Sequence, residues 1–275
     1  MSSRALAGGI RIRSGISLKL LPSALVSLSG FVLFVLEQRF AGYGLLALGL
    51  VLAGFIDRAL LRDLALITAG LVAISLVPIT TDISTGHMVV MGTAMILAVG
   101  IPYFVSRFVF KDHAVRFPVM TGHPWTLTEK WYLAAVVVMG YALLPAYMVN
   151  TGVYTNWPAV SDPEGIFRLF LGTNVLGIWD ELFFICTVFV LLRRHLPLAQ
   201  ANVLQAVLFT SFLWELGFHA WAPAFIFPFA LLQALIFTKT KSLSYIVAVH
   251  LLFDFVLFLV LLHAHNRAWI DIFIY

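Results

Sequence analysis

Long apolar runs recur along almost the whole chain, and they are the feature that most limits how it can fold. Of its 275 residues, 61% are hydrophobic and only 11% are charged. Crossing about 30 Å of hydrocarbon takes roughly 20 apolar residues, because each helical residue advances the chain by about 1.5 Å. A helix also satisfies its own backbone polar groups within lipid. The sequence therefore predicts an all-α fold, a polytopic transmembrane helix bundle surrounded by the lipid bilayer.

Charged residues, prolines and glycines bound about nine such runs. The second and eighth are short, so eight spans are the alternative. The longest polar connection, 111–130, predicts a division into an N-terminal bundle over 1–130 and a C-terminal bundle over 131–275. The predicted spans are 18–36, 42–56, 64–79, 88–106, 131–149, 165–192, 199–218, 223–238 and 244–262.

Lys and Arg collect in the loops that alternating spans place on one side, which is typical of cytoplasmic loops. The loops 80–87 and 150–164, on the other side, contain neither residue. We therefore expect a multi-pass protein of the plasma membrane with an odd number of spans and a cytoplasmic N-terminus. This distribution along short loops offers no nucleic-acid surface. The basic residues on the predicted cytoplasmic side are Arg4, Arg11, Arg13, Lys19, Arg58, Arg62, Arg107, Lys111, Arg116, Lys130, Arg193, Arg194, Lys239 and Lys241.

Six ionisable residues lie within apolar runs in the last third of the chain. A charged side chain at the centre of a membrane helix costs about 2.5–3.5 kcal/mol on insertion scales, so such residues usually line a cavity, pair with one another and serve function. They are the candidate site residues of this protein. The six are Asp180, Glu181, Glu215, His219, His250 and Asp254.

Helical spacing predicts how these residues meet. Positions four apart share a helix face, so Glu215 is expected beside His219, and His250 beside Asp254. Asp180 and Glu181 diverge by about 100°, so at most one of them should point squarely at a common centre. No Lys or Arg lies near the middle of these spans. Carboxylates and imidazoles that share protons in this way suit general acid–base catalysis.

The C-terminal region, roughly 165–262, resembles the CPBP family of intramembrane proteases, also called the Abi or CAAX-protease family. The family signature is EExxxR, then FxxxH, then HxxxN or HxxxD, each on its own helix. The corresponding segments are DELFFI at 180–185, ELGFH at 215–219 and HLLFD at 250–254. Asp180, Ile185 and Glu215 depart from this pattern: they stand where the signature has glutamate, arginine and phenylalanine.

The resemblance implies an intramembrane endopeptidase that cleaves a membrane-associated protein or peptide. An acidic residue and His219 would activate a water, and His250 with Asp254 would stabilise the oxyanion. The residue chemistry agrees, because peptide hydrolysis needs a base for water and hydrogen-bond donors for the developing negative charge. Either Asp180 or Glu181 can be the base. Glu215 is a candidate to orient His219.

Other interpretations remain open. Zinc or another divalent metal held by His219, His250, Glu181 and Asp254 is one alternative, but the sequence has neither the HExxH motif nor the Glu-x-x-His spacing of metal centres in helix bundles, so no cofactor is expected.

A proton- or metal-ion-coupled transporter also uses intramembrane acids, although no internal repeat is evident. The degenerate motifs suit a catalytically inactive scaffold protein as well. The single cysteine, Cys186, is interpreted as a packing residue. Oligomeric state has no signal in the sequence.

Overall fold

Nine helices form the described part of the protein, residues 17–119 and 124–274 of a computed structural model. Each predicted span coincides with one helix. Arg4, Arg11 and Arg13, which contributed to the prediction of a cytoplasmic N-terminus, lie outside the described residues, as does part of the 111–130 loop. The helices are α1 (Leu20–Val35), α2 (Arg39–Ile56), α3 (Arg58–Ser75), α4 (Thr85–Val109), α5 (Leu127–Thr151), α6 (Pro163–Arg193), α7 (Leu198–Glu215), α8 (Pro223–Thr240) and α9 (Leu243–His265).

Six of these helices, α2, α4, α5, α6, α8 and α9, are long and apolar enough to cross a membrane. The others differ for visible reasons: α1 is shorter, α3 carries Arg58, Arg62 and Asp63, and α7 carries several polar side chains such as Asn202. The all-α, membrane-spanning fold class is confirmed, and the chain is an integral membrane protein. Six helices meet the requirements where eight or nine spans were predicted.

Side-chain bonds group the loops at two ends of the bundle. At the Lys/Arg-rich end, Lys19 pairs with Asp57. At the opposite end, the amide of Asn156 donates to the carbonyl of Gly217 at 2.8 Å, and the ring of His265 lies 3.2 Å from the carbonyl of Tyr154. This grouping agrees with the alternation of spans in the predicted topology. The side of the membrane on which each end lies stays a prediction.

Helices α6 and α9 form the centre of the bundle. In their most apolar windows 72% and 61% of residues are buried, against 22–33% in the other four spanning helices. The indole of Trp179 in α6 donates to the carbonyl of Met95 in α4 at 2.8 Å, so the N-terminal helices pack on the same centre. Both predicted bundles thus contribute to one apolar core. Their division at 130 stays a prediction.

Candidate active site

A single imidazole lies among three carboxylates where α6 and α9 meet. His250 Nδ1 is 2.8 Å from Oε1 of Glu181, a hydrogen bond. On the other edge of the ring, Nε2 lies 3.8 Å from Oδ2 of Asp180 and 3.8 Å from Oδ1 of Asp254. All four side chains are buried. We call these four residues the acid–imidazole centre.

Both neighbouring acids of α6 lie beside this imidazole, but on different edges of the ring: Glu181 bonds to Nδ1 and Asp180 lies near Nε2. The two side chains thus diverge, as the predicted angle of about 100° between them implies. The two ring nitrogens point in different directions, so His250 lies between the carboxylates of Asp180 and Glu181. The helix also changes from α to π geometry over Glu181–Phe189, directly after Asp180. Such π segments are frequent at functional sites, because they alter the direction in which side chains project.

Gly177 lets α9 approach α6 at this point. An added Cβ on Gly177 would lie 2.0 Å from Oδ2 of Asp254 and 3.1 Å from Cδ2 of His250. Only a residue without a side chain fits such contacts. The sequence interpretation did not include Gly177; the available signal was a glycine one helical turn before the Asp180–Glu181 pair.

Gln233 of α8 is a second residue that the sequence interpretation missed. Its side-chain amide nitrogen donates to Oε1 of Glu181 at 2.6 Å and to the carbonyl of Ile246 at 3.1 Å. Its amide therefore links α6, α8 and α9 at the acid–imidazole centre. The only signal in the sequence was an uncharged amide alone in an apolar helix.

Several polar atoms of the acid–imidazole centre and of Gln233 have no hydrogen-bond partner among the described residues. They are Oδ1 of Asp180, Oε2 of Glu181, Oδ2 of Asp254 and Oε1 of Gln233. Buried acceptors are costly unless they are bonded. The separations of 3.8 Å around Nε2 exceed a direct hydrogen bond but suit bridging through one water molecule. The centre therefore has the donors, acceptors and spacing to hold a water.

A cavity of about 350 Å³ ends at Asp180, His250 and Asp254. Its other walls are almost entirely apolar and come from α5 to α9. Met139 of α5 and Leu232 of α8 line it and are 41% and 44% exposed, so the cavity opens between these two lipid-facing helices. Glu181 is not among the residues that line it. Asp180 is therefore the acid of α6 that borders the cavity.

His219 and Glu215 lie away from the acid–imidazole centre, contrary to the predicted convergence. Helix α7 ends at Glu215, and the chain then turns through Gly217, whose φ is 115°. The prediction that Glu215 and His219 share a helix face was wrong for this reason. His219 is exposed, with its ring 5.0 Å from that of Trp214, and Glu215 is only partly buried.

Helix α7 instead directs two apolar residues at the cavity, Phe209 and Leu213. The ring of Phe209 lies 6.1 Å from the ring of His250. These two residues have the four-residue spacing of the FxxxH signature, with leucine in the place of histidine. They precede the segment 215–219, whose assignment as the second motif stays a prediction.

The alternative metal site is not assembled, because His219 is remote from His250, Glu181 and Asp254. Within residues 17–119 and 124–274, no group of three or more His, Cys, Asp or Glu side chains has a geometry that could hold a metal ion. The expectation that no cofactor is needed stays a prediction. Cys186 is buried and unpaired with another cysteine, as a packing residue would be.

Fold and site together define an integral membrane protein with a buried acid–imidazole centre at the end of a lipid-facing cavity. Residues 162–256 match the family described as "Rce1-like: Type II CAAX prenyl endopeptidase Rce1-like". The predicted resemblance of the C-terminal region to the CAAX-protease family is therefore confirmed. The match includes the whole acid–imidazole centre, Gly177 and Gln233. Neither a curated protein nor a solved structure matches this chain.

Proposed function

We propose that the protein is an intramembrane endopeptidase that hydrolyses a peptide bond in a membrane-associated protein or peptide. One observation carries this proposal: His250 lies between Glu181 on one edge and Asp180 with Asp254 on the other, at the polar end of an apolar cavity. The family match supports proteolysis at the level of reaction class.

The geometry favours Asp180 as the general base. Glu181 is engaged with His250 Nδ1 and Gln233, whereas Asp180 faces the cavity. A water between Asp180, Asp254 and Nε2 transfers a proton to Asp180 while its oxygen attacks the carbonyl carbon. The protonated imidazole donates from Nε2 to the oxyanion. The C–N bond then breaks, and Asp180 returns its proton to the leaving amine.

The cavity supports a substrate that is apolar near the cleaved bond. Its volume of about 350 Å³ falls in the range of small-ligand sites, roughly 300–1,000 Å³, and can take a few apolar side chains or part of a lipid chain. Because the opening lies between α5 and α8, such a segment can enter from the bilayer without crossing an aqueous phase. We therefore propose a membrane-anchored substrate.

Reconstitution in liposomes with membrane-anchored peptides of randomised sequence tests this function, with cleavage products identified by mass spectrometry. Wild type should cleave, whereas Asp180→Asn and His250→Gln should not, although they fold normally by thermal unfolding. The control is Glu164→Gln, which changes an exposed carboxylate at the start of the same helix. Undiminished cleavage by Asp180→Asn or His250→Gln would refute the mechanism.

A second candidate function is substrate binding without cleavage, as in an inactive scaffold. The observation that favours it is the pair Phe209 and Leu213, which places no imidazole of α7 at the centre. The same liposomes distinguish the two functions: a scaffold retains anchored peptides and releases no products, and Asp180→Asn leaves retention unchanged.

For orientation we propose that the Lys/Arg-rich end is cytoplasmic in the cell membrane, which the alternation of basic loops supports. The C-terminus, at the opposite end, would then be outside. A C-terminal alkaline phosphatase fusion should be active and a C-terminal green fluorescent protein fusion dark. The reverse result would invert the topology.

A further inference from the structure

We infer that Gln233 is a positioning residue that holds Glu181, and through it His250, in the geometry required for catalysis. The inference rests on the proposed endopeptidase function. Gln233 is 1% exposed and does not line the cavity, so it acts through other residues rather than on substrate. Its amide lies at the junction of the three helices that form the centre.

The contacts of Gln233 fix two sides of the centre at once. The bond of 2.6 Å to Oε1 of Glu181 restrains the carboxylate that bonds to His250 Nδ1. The bond of 3.1 Å to the carbonyl of Ile246 restrains α9 one turn before His250. The side chain of Gln233 thus fixes the position of the Glu181 carboxylate, which accepts the hydrogen bond from His250, and the position of α9, which carries His250. Loss of the amide would let the ring rotate away from Asp180.

No basic side chain performs this role. Across the described residues, the hydrogen bonds and ion pairs recorded for Glu181 come from Gln233 and His250 alone. Ile185, one turn after Glu181 and in the place of the signature arginine, is 1% exposed and offers no donor. Gln233 therefore supplies Glu181 with a neutral donor, and no Lys or Arg side chain of the described residues bonds to the centre.

The first test compares Gln233→Met, which keeps the length of the side chain and removes both donors, with wild type. We expect kcat to fall on the order of 100-fold, as for an angstrom-scale misplacement of a catalytic group, with KM unchanged because Gln233 is outside the cavity. The matched control is Gln205→Met. Gln205 is also fully buried and bonds Asn202 and the carbonyl of Ala230, but it does not contact the centre. Equal losses of kcat in both variants would overturn the inference.

The pH dependence of activity in Gln233→Glu distinguishes a positioning role from a purely structural one. A protonated carboxyl can donate to Glu181 as the amide does, whereas an ionised one repels it. Activity of Gln233→Glu relative to wild type should therefore recover as pH falls, while the relative activity of Gln233→Met stays low at every pH. Parallel pH profiles for the two variants would contradict a positioning role.

A measurement on the centre itself separates this inference from the proposed function. In protein with ¹⁵N-labelled histidine, the His250 signal, assigned with His250→Gln, reports the hydrogen bond at Nδ1. Gln233→Met should shift this signal and Gln205→Met should not, whether or not any peptide is cleaved. A shift without cleavage by wild type would support positioning and refute hydrolysis. An unchanged signal would refute positioning.

Discussion

Gly177 lies directly against Asp254, so close that a Cβ at position 177 would be 2.0 Å from the carboxylate oxygen Oδ2. The position of the Asp254 carboxylate on α9 therefore depends on Gly177, a residue of α6. Neither of the motifs at 180–185 and 250–254 contains Gly177, yet the distance between the two helices depends on it.

Gly177→Ala should lower the proposed peptide cleavage without unfolding the protein. Asp254 has to move, and a shift of about 1 Å costs on the order of 100-fold in kcat/KM. Overpacking should also destabilise the fold by about 1–3 kcal/mol. Cleavage of an anchored peptide and thermal unfolding in detergent measure the two effects. Gly172→Ala is the control, because nothing lies within 4 Å of its added Cβ; a similar loss of activity in Gly172→Ala would contradict the prediction.

The two acids of α6 should differ in the size of their effects. Asp180→Asn removes the proposed base and should lower kcat by at least about 100-fold, within the range general-base catalysis contributes. Glu181→Gln keeps a carbonyl oxygen that can still accept from His250 Nδ1, so its loss should be clearly smaller. Single-turnover cleavage compares them. If Glu181→Gln is the more damaging change, the roles of the two acids are reversed.

A larger side chain at the opening between α5 and α8 should block the entry of substrate into the cavity. Leu232→Trp should obstruct the cavity between α5 and α8 and raise KM for a membrane-anchored peptide about tenfold or more, which corresponds to about 1.4 kcal/mol of binding free energy. Leu235, on the same helix, is 38% exposed and does not line the cavity. Leu235→Trp should therefore leave KM unchanged. Equal KM values in the two variants would mean that substrate enters elsewhere.

The helices were predictable because each apolar run is about as long as one helix that is either buried or exposed to lipid. The proximity of His250 and Asp254 was predictable for a similar reason, because the two residues lie one turn apart on the same helix, α9. Glu215 and His219 do not share a helix face because α7 ends at Glu215 and Gly217, with a φ of 115°, turns the chain away from the helix. A glycine two residues after Glu215 was the available warning.

The roles of Gln233 and Gly177 could not be predicted from the sequence, for a different reason. A single amide or glycine in an apolar run looks the same whether it faces lipid, a neighbouring helix or a site. Only the approach of α8 and α9 to α6 gives these residues their contacts. The same holds for Leu213, whose place in the cavity wall depends on how α7 packs.

An ion-pair cluster at the Lys/Arg-rich end should contribute strongly to stability. Asp63 is 2% exposed and contacts Arg194 at 3.0 Å and His195 at 2.7 Å. Without Asp63 the buried ring of His195 loses its hydrogen-bond partner, which costs about 1–3 kcal/mol, whereas Arg194 is partly exposed and keeps its contact with Asp112. Asp63→Ala should therefore lower the melting temperature more than Glu164→Ala, which removes an exposed pair with Arg168 worth about 0–1 kcal/mol. Similar melting temperatures for the two variants would show that the cluster is dispensable.

Asp112 should make part of this stability dependent on pH. Burial alone would raise the pKa of Asp112, but hydrogen bonds from Ser106, Arg194 and the backbone N–H of Ala114, with the charge of Arg194, together outweigh burial and hold the pKa below its usual value of 3.8. A carboxylate whose pKa is lower in the folded state stabilises the fold fully above pH 3.8, and this contribution is lost as pH falls through the folded-state pKa. The melting temperature of Asp112→Asn should accordingly be lower than that of wild type at pH 6, and the gap should close as the pH is lowered toward 3. A gap of constant size over this range would show that the ionised carboxylate of Asp112 does not contribute through its bonds to Ser106 and Arg194.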